Sequence, residues 1–335
     1  MLVSVIITVF NIEKYVEAAL LSALQQSYKE VEIIVVDDCS TDGSYEIIKK
    51  YMDQIRYIRT FANSGVLLAT LEGIKQASGD VISFLDGDDL WAENKLELVV
   101  DAFKKHPQAF FLSHDYQFIN SADTVIYKED HSQDILKKGL IEQREDQVSE
   151  DMRRSVLGYY GNVWLGSAYC FRSHVIDKGA LSAWIERLPD PRMTYQDHTI
   201  ASYIFLHHPN GKLLYIPLPL FSYRIHGTNY SGTAASLSQM INVILKGLNT
   251  AQATHSLVIK YSKDASLKSR QEQKVKYFNY LLCLFKRKYI AALLLFATLC
   301  LKFWTWKEIG KELVRFGTIV LLGPSRYISI KNRLI

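Results

Sequence analysis

Asp86, Asp88 and Asp89 place three carboxylates within four positions, with Gly87 between the first two. The preceding residues 81–85 form an apolar, β-branched run of strand length. Like charges this close repel one another unless a divalent cation neutralises them, and hard oxygen donors suit Mg2+ or Mn2+ rather than zinc. Gly87 allows a sharp turn, so Asp86 and Asp88 are expected to face one ion or one ligand. The alternative is a solvated Asp-Gly turn after a buried strand, the ordinary use of that dipeptide. The neighbouring motifs weigh against it.

The elements that must position these groups come next. Residues 3–9, Val-Ser-Val-Ile-Ile-Thr-Val, have the pattern of a strand buried on both faces. A helix is expected over 12–26, with Val16, Ala19, Leu20, Ala23 and Leu24 on one face. A second buried strand, 31–36, runs into Asp37-Asp38-Cys39-Ser40-Thr41-Asp42-Gly43-Ser44, where Ser40 or Thr41 is expected to cap the following helix. Residues 55–60 supply a third strand, Asn63-Ser64-Gly65 a turn, 66–77 a helix, and Gly79-Asp80 the entry to the acidic strand. This alternation predicts an α/β layered fold whose ligands bind beyond the carboxyl ends of parallel strands. Thr8, Asp38 and Asp86 all fall at such ends and should converge on one crevice. There is neither a Gly-x-Gly-x-x-Gly after the first strand nor a Gly-x-x-x-x-Gly-Lys-Ser/Thr, so a dinucleotide fold and a P-loop are both unsupported.

Composition bounds the answer further. At 335 residues the chain can bury a full core, and its formal net charge of +4 is too weak to argue for nucleic acid. The four cysteines have neither metal-ligand nor disulfide spacing, which suits a reducing, cytosolic setting. The first residues run straight into a strand-like segment with no secretory pattern. No apolar run reaches the ~18 residues of a spanning helix; the longest is 289–301. The chain is expected to be soluble or peripheral.

Five motifs in order carry a resemblance: residues 3–11, residues 35–44, Asn63-Ser64-Gly65, Gly79-Asp80 and residues 84–91. Together they resemble family 2 of the inverting nucleotide-sugar glycosyltransferases, closely over residues 1–115 and more loosely to residue 230. The fold class this implies is α/β of GT-A (Rossmann-like) type, a mostly parallel sheet flanked by helices, with a C-terminal helical extension here. It also implies Mn2+ or Mg2+ at Asp88, with His226 as a further ligand, and a nucleotide pocket formed by Thr8, Asp38 and Asp86. Asp38 would accept the imide hydrogen of a uracil. Asp197 matches the family's catalytic base, although Gln196 stands where a Glu usually precedes it. Taken alone, Asp197 is a first-turn carboxylate favoured by a helix dipole, and His226 a structural histidine. Arg224 either neutralises a diphosphate or pairs with a surface carboxylate.

The rest of the chain follows from pattern. A helix is expected over 93–105 before His106-Pro107, a strand over 109–116, a polar irregular insertion over 120–160, and an acceptor half from 161 to 234. Within that half, residues 161–167 read either as a turn or as a sugar-contacting loop, 168–171 as a strand, and 212–217 as another. Residues 1–234 thus form the catalytic domain and 235–335 a helical, amphipathic extension in which lysines, aromatics and short apolar runs alternate. That composition suits a membrane interface, the alternative being a hairpin packed on the catalytic domain or on a second subunit. The resemblance implies a UDP-sugar donor, a lipid-linked glycan acceptor for a bacterial surface polysaccharide, and work at the cytoplasmic face of the inner membrane without nucleic acid. A polyprenyl-phosphate sugar synthase and a non-catalytic nucleotide-sugar-binding scaffold are the alternatives.

Overall fold

The computed structural model describes residues 1–128, 165–208, 212–226 and 236–333. They divide into two compact units, Met1–Arg192 with Gln196–His226, and Met193–Tyr195 with Gly227–Ile335.

The first unit is built on a nine-stranded sheet. Its first four strands are β1 (Val3–Val9), β2 (Val31–Asp37), β3 (Arg56–Arg59) and β4 (Val81–Asp86). They pair in parallel in the order β3-β2-β1-β4. The Val- and Ile-rich runs of β1 and β4 are buried because α1 (Val16–Leu24), α3 (Val66–Gln76) and α4 (Lys95–Lys105) supply apolar faces to the layers around them. A short helix α2 (Ser44–Ile48) follows the Asp38 loop, capped at Gly43 without a side-chain bond. Ser40 and Ser44 instead accept hydrogen bonds from the backbone N–H groups of Asn11 and Ile12, at 3.1 Å each, so the expected cap serves to tie two loops together.

The second half of the sheet mixes directions. It contains β5 (Leu90–Trp91), β6 (Ala109–Ile119), β7 (Val125–Lys128), β8 (Cys170–Arg172) and β9 (Lys212–Arg224). β8 is antiparallel to both β4 and β6, β9 is parallel to β6, and β5 closes the edge against β9. β9 runs well past Pro217, where the sequence pattern had stopped. Its register against β6 jumps between His114↔Ile216 and Asp115↔Pro219, a bulge that absorbs Pro217 and Leu218 before pairing resumes. The continuation carries Arg224 and His226 to the carboxyl end of β4. Helices α5 (Lys178–Ile185) and α6 (Gln196–His207) also belong to this unit. α6 is buried almost all round.

The second unit is helical: α7 (Leu237–Tyr261), α8 (Ala265–Phe285), α9 (Tyr289–Lys302), α10 (Trp306–Leu322) and α11 (Pro324–Arg333). Ser236-x-x-Gln239 and Thr305-x-x-Glu308 form capping boxes that start α7 and α10. A separate core joins Ile244, Tyr280, Leu284, Phe296, Leu299 and Ile319. Among the described residues, no helix is long and apolar enough to cross a membrane. All four cysteines are free thiols.

Candidate active site

The parallel register sets the ends of β1, β2 and β4 side by side, with Thr8 opposite both Val36 and Asp86. Gly87 N–H donates to the Thr8 carbonyl at 3.0 Å as the chain leaves β4. A Cβ at position 87 would sit 2.8 Å from that carbonyl oxygen and 2.5 Å from Ile12 Cδ1. Glycine is required there by close approach of two strand ends, not by an unusual backbone angle. Thr8 Oγ1 donates to Asp86 Oδ1 at 3.3 Å.

The acidic turn is then held by Ser167 and Arg224. Ser167, which is buried, donates through Oγ to Asp89 Oδ2 at 2.7 Å and accepts from Asp86 N–H at 3.0 Å. Its carbonyl accepts from Trp91 Nε1 at 3.2 Å and from Lys95 Nζ at 2.6 Å. Arg224 N–H donates to Asp89 Oδ1 at 3.0 Å, and Arg224 Nε to the Asp88 carbonyl at 2.7 Å. Asp89 is thus a buried brace, while Asp86 and Asp88 remain partly open. The Arg224 guanidinium pairs with Asp123 and lies 4.8 Å from the Tyr15 ring centre. Of the two readings of this arginine, the carboxylate pairing is the one the structure displays. Sequence reasoning did not find Ser167 as a hub or Lys95 as its fully buried partner. A lysine at the first turn of an amphipathic helix carries no signal of burial.

Lys95 also lies 3.7 Å from the Trp91 ring centre. Burial pushes its ammonium down to about 7. The unfolded chain keeps that proton up to an ordinary value of 10.5. Between these values the unfolded state binds the extra proton, so folding stability contributed here rises with pH from about 7 to 10.5. Lys95→Met is expected to flatten that rise. Urea midpoints measured from neutral to alkaline pH would check it, and parallel curves for the two proteins would refute it.

Asp38 is buried and structurally engaged. Its Oδ1 accepts from Thr60 Oγ1 at 2.8 Å, Ser64 N–H at 2.8 Å and Ser64 Oγ at 2.7 Å; its Oδ2 accepts from Gly65 N–H at 2.7 Å. The carboxylate therefore shapes the loop after β3, with three bonds on Oδ1 and one on Oδ2. Gly65, with φ of +86°, makes that contact in a backbone region that disfavours a side chain. Asp38→Asn puts an NH2 group against donors and is expected to cost about 2–3 kcal/mol. Equilibrium urea unfolding measures this; a loss below about 0.5 kcal/mol would show that the loop holds itself.

His226 meets the turn directly, its Nε2 lying 2.9 Å from Asp88 Oδ2 and its ring 4.6 Å from that of Tyr15. Asp197 lies in the first turn of α6, where its Oδ1 accepts from His198 N–H at 2.7 Å and its carbonyl accepts from Tyr169 Oη at 3.1 Å. Burial, followed by the Asp88 and Asp197 carboxylates, pushes the Asp86 carboxyl up to about 7. Asp86 therefore senses both its neighbour in the turn, Asp88, and Asp197 from a distant stretch of the sequence. Asp38 lies at the adjoining end of β2, turned toward the loop after β3. Gln196 is buried with its amide nitrogen close over Gly166, and its Oε1 has no partner among the described residues. Of residues 161–167, those from 161 to 164 lie outside the described residues, as does the insertion beyond residue 128.

Among the described residues no group of three His, Cys, Asp or Glu side chains closes on a point as a ready-made metal cage. The donor chemistry nonetheless fits a hard divalent cation. Asp88 Oδ2 and His226 Nε2 converge, and Asp86 is held in a state of repulsion that positive charge relieves. Mg2+ and Mn2+ are commonly held by one or two protein ligands, with substrate phosphates and water completing the shell.

A parallel βαβ half with carboxylates gathered at its strand ends is the GT-A architecture of nucleotide-sugar enzymes. The family model "Glycosyl transferase family 2" matches residues 4–153. An uncharacterized glycosyltransferase from Nostoc is 30% identical over 243 residues, 70% of this chain and 68% of that protein. The chain belongs to glycosyl transferase family 2. An Escherichia coli UDP-Glc:alpha-D-GlcNAc-diphosphoundecaprenol beta-1,3-glucosyltransferase, WfgD, is 34% identical over 125 residues, 37% of this chain and 49% of that protein. The chain spans only 40% and 44% of the length of two other bacterial relatives, from Haemophilus influenzae and Bacillus subtilis. Staphylococcus aureus TarS in complex with UDP-GlcNAc superposes with a TM-score of 0.54 at 17% identity, covering 84% of this chain and 72% of that one. The Pyrobaculum calidifontis mannosyltransferase PcManGT, with GDP-Man and Mn2+, superposes at 0.52 and 15% identity, covering 98% and 86%. These two likenesses speak to the fold.

Proposed function

We propose that the chain transfers a sugar from a UDP-sugar to a hydroxyl of a lipid-linked oligosaccharide, with inversion and with Mn2+ or Mg2+, in the synthesis of a bacterial surface glycan. The observation that carries this reading is the electrostatic coupling of Asp86 with both Asp88 and Asp197 in one crevice, with His226 on Asp88. The relative whose name specifies a diphosphoundecaprenol acceptor supports the acceptor class, and the neighbour bound to UDP-GlcNAc supports the donor class.

A nucleotide sugar is an activated glycoside with a diphosphate leaving group. Asp88 and His226 would hold the divalent ion, which when bound supplies charge neutralisation for the departing phosphate. Asp86 and Thr8 line the same strand ends, and Asp38 Oδ2 offers an acceptor to the imide hydrogen of a uracil. Asp197 takes the proton from the acceptor hydroxyl as that oxygen attacks the anomeric carbon from the face opposite the diphosphate. A single displacement inverts the anomeric centre and needs no second carboxylate nucleophile. Peripheral association at the cytoplasmic face of the inner membrane completes the reading.

Incubation with a panel of UDP-sugars, Mn2+ and a diphosphate-lipid-linked saccharide, scored for UDP release and product anomer, tests this. Release dependent on the glycan-bearing lipid with an inverted product supports it. Equal transfer to bare polyprenyl phosphate would replace it with a lipid-phosphate sugar synthase, and donor binding without release under any acceptor with a scaffold.

A further inference from the structure

Two helices of the second unit carry an exposed apolar stripe. In α9, Ala292, Phe296 and Leu299 are buried, while Ile290, Leu293, Leu294, Ala297 and Leu301 stand exposed. At helical spacing those five fall within one stripe of roughly 100°, opposite the buried face. α10 has a mixed inner face, with Glu312 buried and paired with Arg315 at 2.7 Å, but it carries a similar outer stripe. Its Ile319 is buried, whereas Trp306, Leu313, Val314, Val320 and Leu321 lie exposed along one side, with Gly310 and Gly317 on the same line. Exposure reaches 81% at Ile290, 90% at Leu301, 89% at Trp306 and 83% at Leu321. Both inner faces belong to one small core, so both stripes stand on its outside. Stripes of large, highly exposed apolar side chains are uncommon on soluble domains unless something covers them.

Charge identifies what covers it. Residues 286–335 contain ten Lys and Arg against two Glu, whereas residues 1–285 contain 29 against 33. The whole basic excess of the chain therefore resides in this stretch. Lys286, Arg287 and Lys288 precede α9, Lys302 ends it, and Lys307 and Lys311 lie on α10; all six are exposed. A second copy presenting the same surface would oppose two sets of like charges. An anionic bilayer offers both an apolar interior for the stripes and phosphates for the lysines.

We propose that the outer faces of α9 and α10 form a docking surface for an anionic phospholipid bilayer, lying in the headgroup region without spanning it. This rests on the reading that the acceptor is lipid-linked: docking confines the enzyme to the surface that holds its acceptor and raises the effective concentration of that acceptor.

Flotation of the full chain with phosphatidylcholine vesicles, with and without phosphatidylglycerol, tests it. At least about tenfold more protein is expected to float with the anionic vesicles than with the neutral ones. The double substitutions Leu293→Glu/Leu294→Glu and Trp306→Ala/Leu321→Glu are expected to lower that fraction at least about tenfold. These side chains are exposed, so melting temperature and UDP-sugar hydrolysis in solution should be retained. Wild-type protein that ignores both vesicles, or variants that float as it does, would overturn the proposal. A dimer dissolved by the same substitutions, with no vesicle binding, would overturn it in favour of a second copy. Hydrolysis is read separately, so its absence in the wild type would count against the transferase reading and leave the flotation result standing.

Discussion

Asp197→Asn lowers kcat by about 1,000-fold while leaving donor affinity within about twofold, if this carboxylate is the general base. The substitution suits the test because the local structure survives it. Asp197 Oδ1 accepts from His198 N–H at 2.7 Å, a bond an amide oxygen retains, and Tyr169 Oη is bonded to the Asp197 backbone carbonyl. What the amide lacks is proton affinity. Steady-state kinetics with a lipid-linked acceptor, alongside calorimetric titration of the UDP-sugar, separates the two quantities. A variant within about tenfold of wild-type kcat would assign the proton transfer to another group, and a matching loss of donor affinity would show that Asp197 serves binding instead.

The second large effect concerns the cation. Asp88→Asn and His226→Ala are each expected to weaken Mn2+ binding at least about 30-fold, measured by electron paramagnetic resonance titration in the presence of UDP. Both are expected to lower kcat/KM by about 100- to 1,000-fold. In Asp88→Asn the turn should persist, because Arg224 Nε donates to the Asp88 backbone carbonyl and Asp89 supplies the buried brace to Ser167 Oγ and Arg224 N–H. Two variants with wild-type Mn2+ affinity would remove this pair from any metal site. Their melting temperatures distinguish a lost ligand from a lost turn.

Legibility differed between the halves of the first unit for a physical reason. β1, β2 and β4 are largely buried on both faces, and such strands read as Val- and Ile-rich runs that tolerate an occasional polar residue and here end near Thr8, Asp37 and Asp86. Thr8, Asp38 and Asp86 were therefore placed at strand ends correctly from pattern alone. β9 defeated the same reasoning because two prolines interrupt it, and a bulge that tolerates proline depends on the partner strand. The helix cap expected at Ser40 or Thr41 failed similarly. Ser40 found the Asn11 backbone N–H, a partner 29 residues away that no local rule can foresee.

The sequence by itself determined the chemistry on offer. Acidic residues follow a hydrophobic run, Asp197 begins an apolar helix, and a basic tail follows a slightly acidic body, because residue type and spacing along the chain set local pattern and charge. Only the tertiary structure decided how those groups divide their labour. Asp89 became a brace, Asp86 and Asp88 were left partly open, and Arg224 bound the turn through Nε while its Nη1 paired with Asp123. Lys95 and Ser167, ordinary in sequence, became the support beneath the turn. Burial and the pairing of distant hydrogen-bond partners set those roles, and neither exists until the strands are side by side.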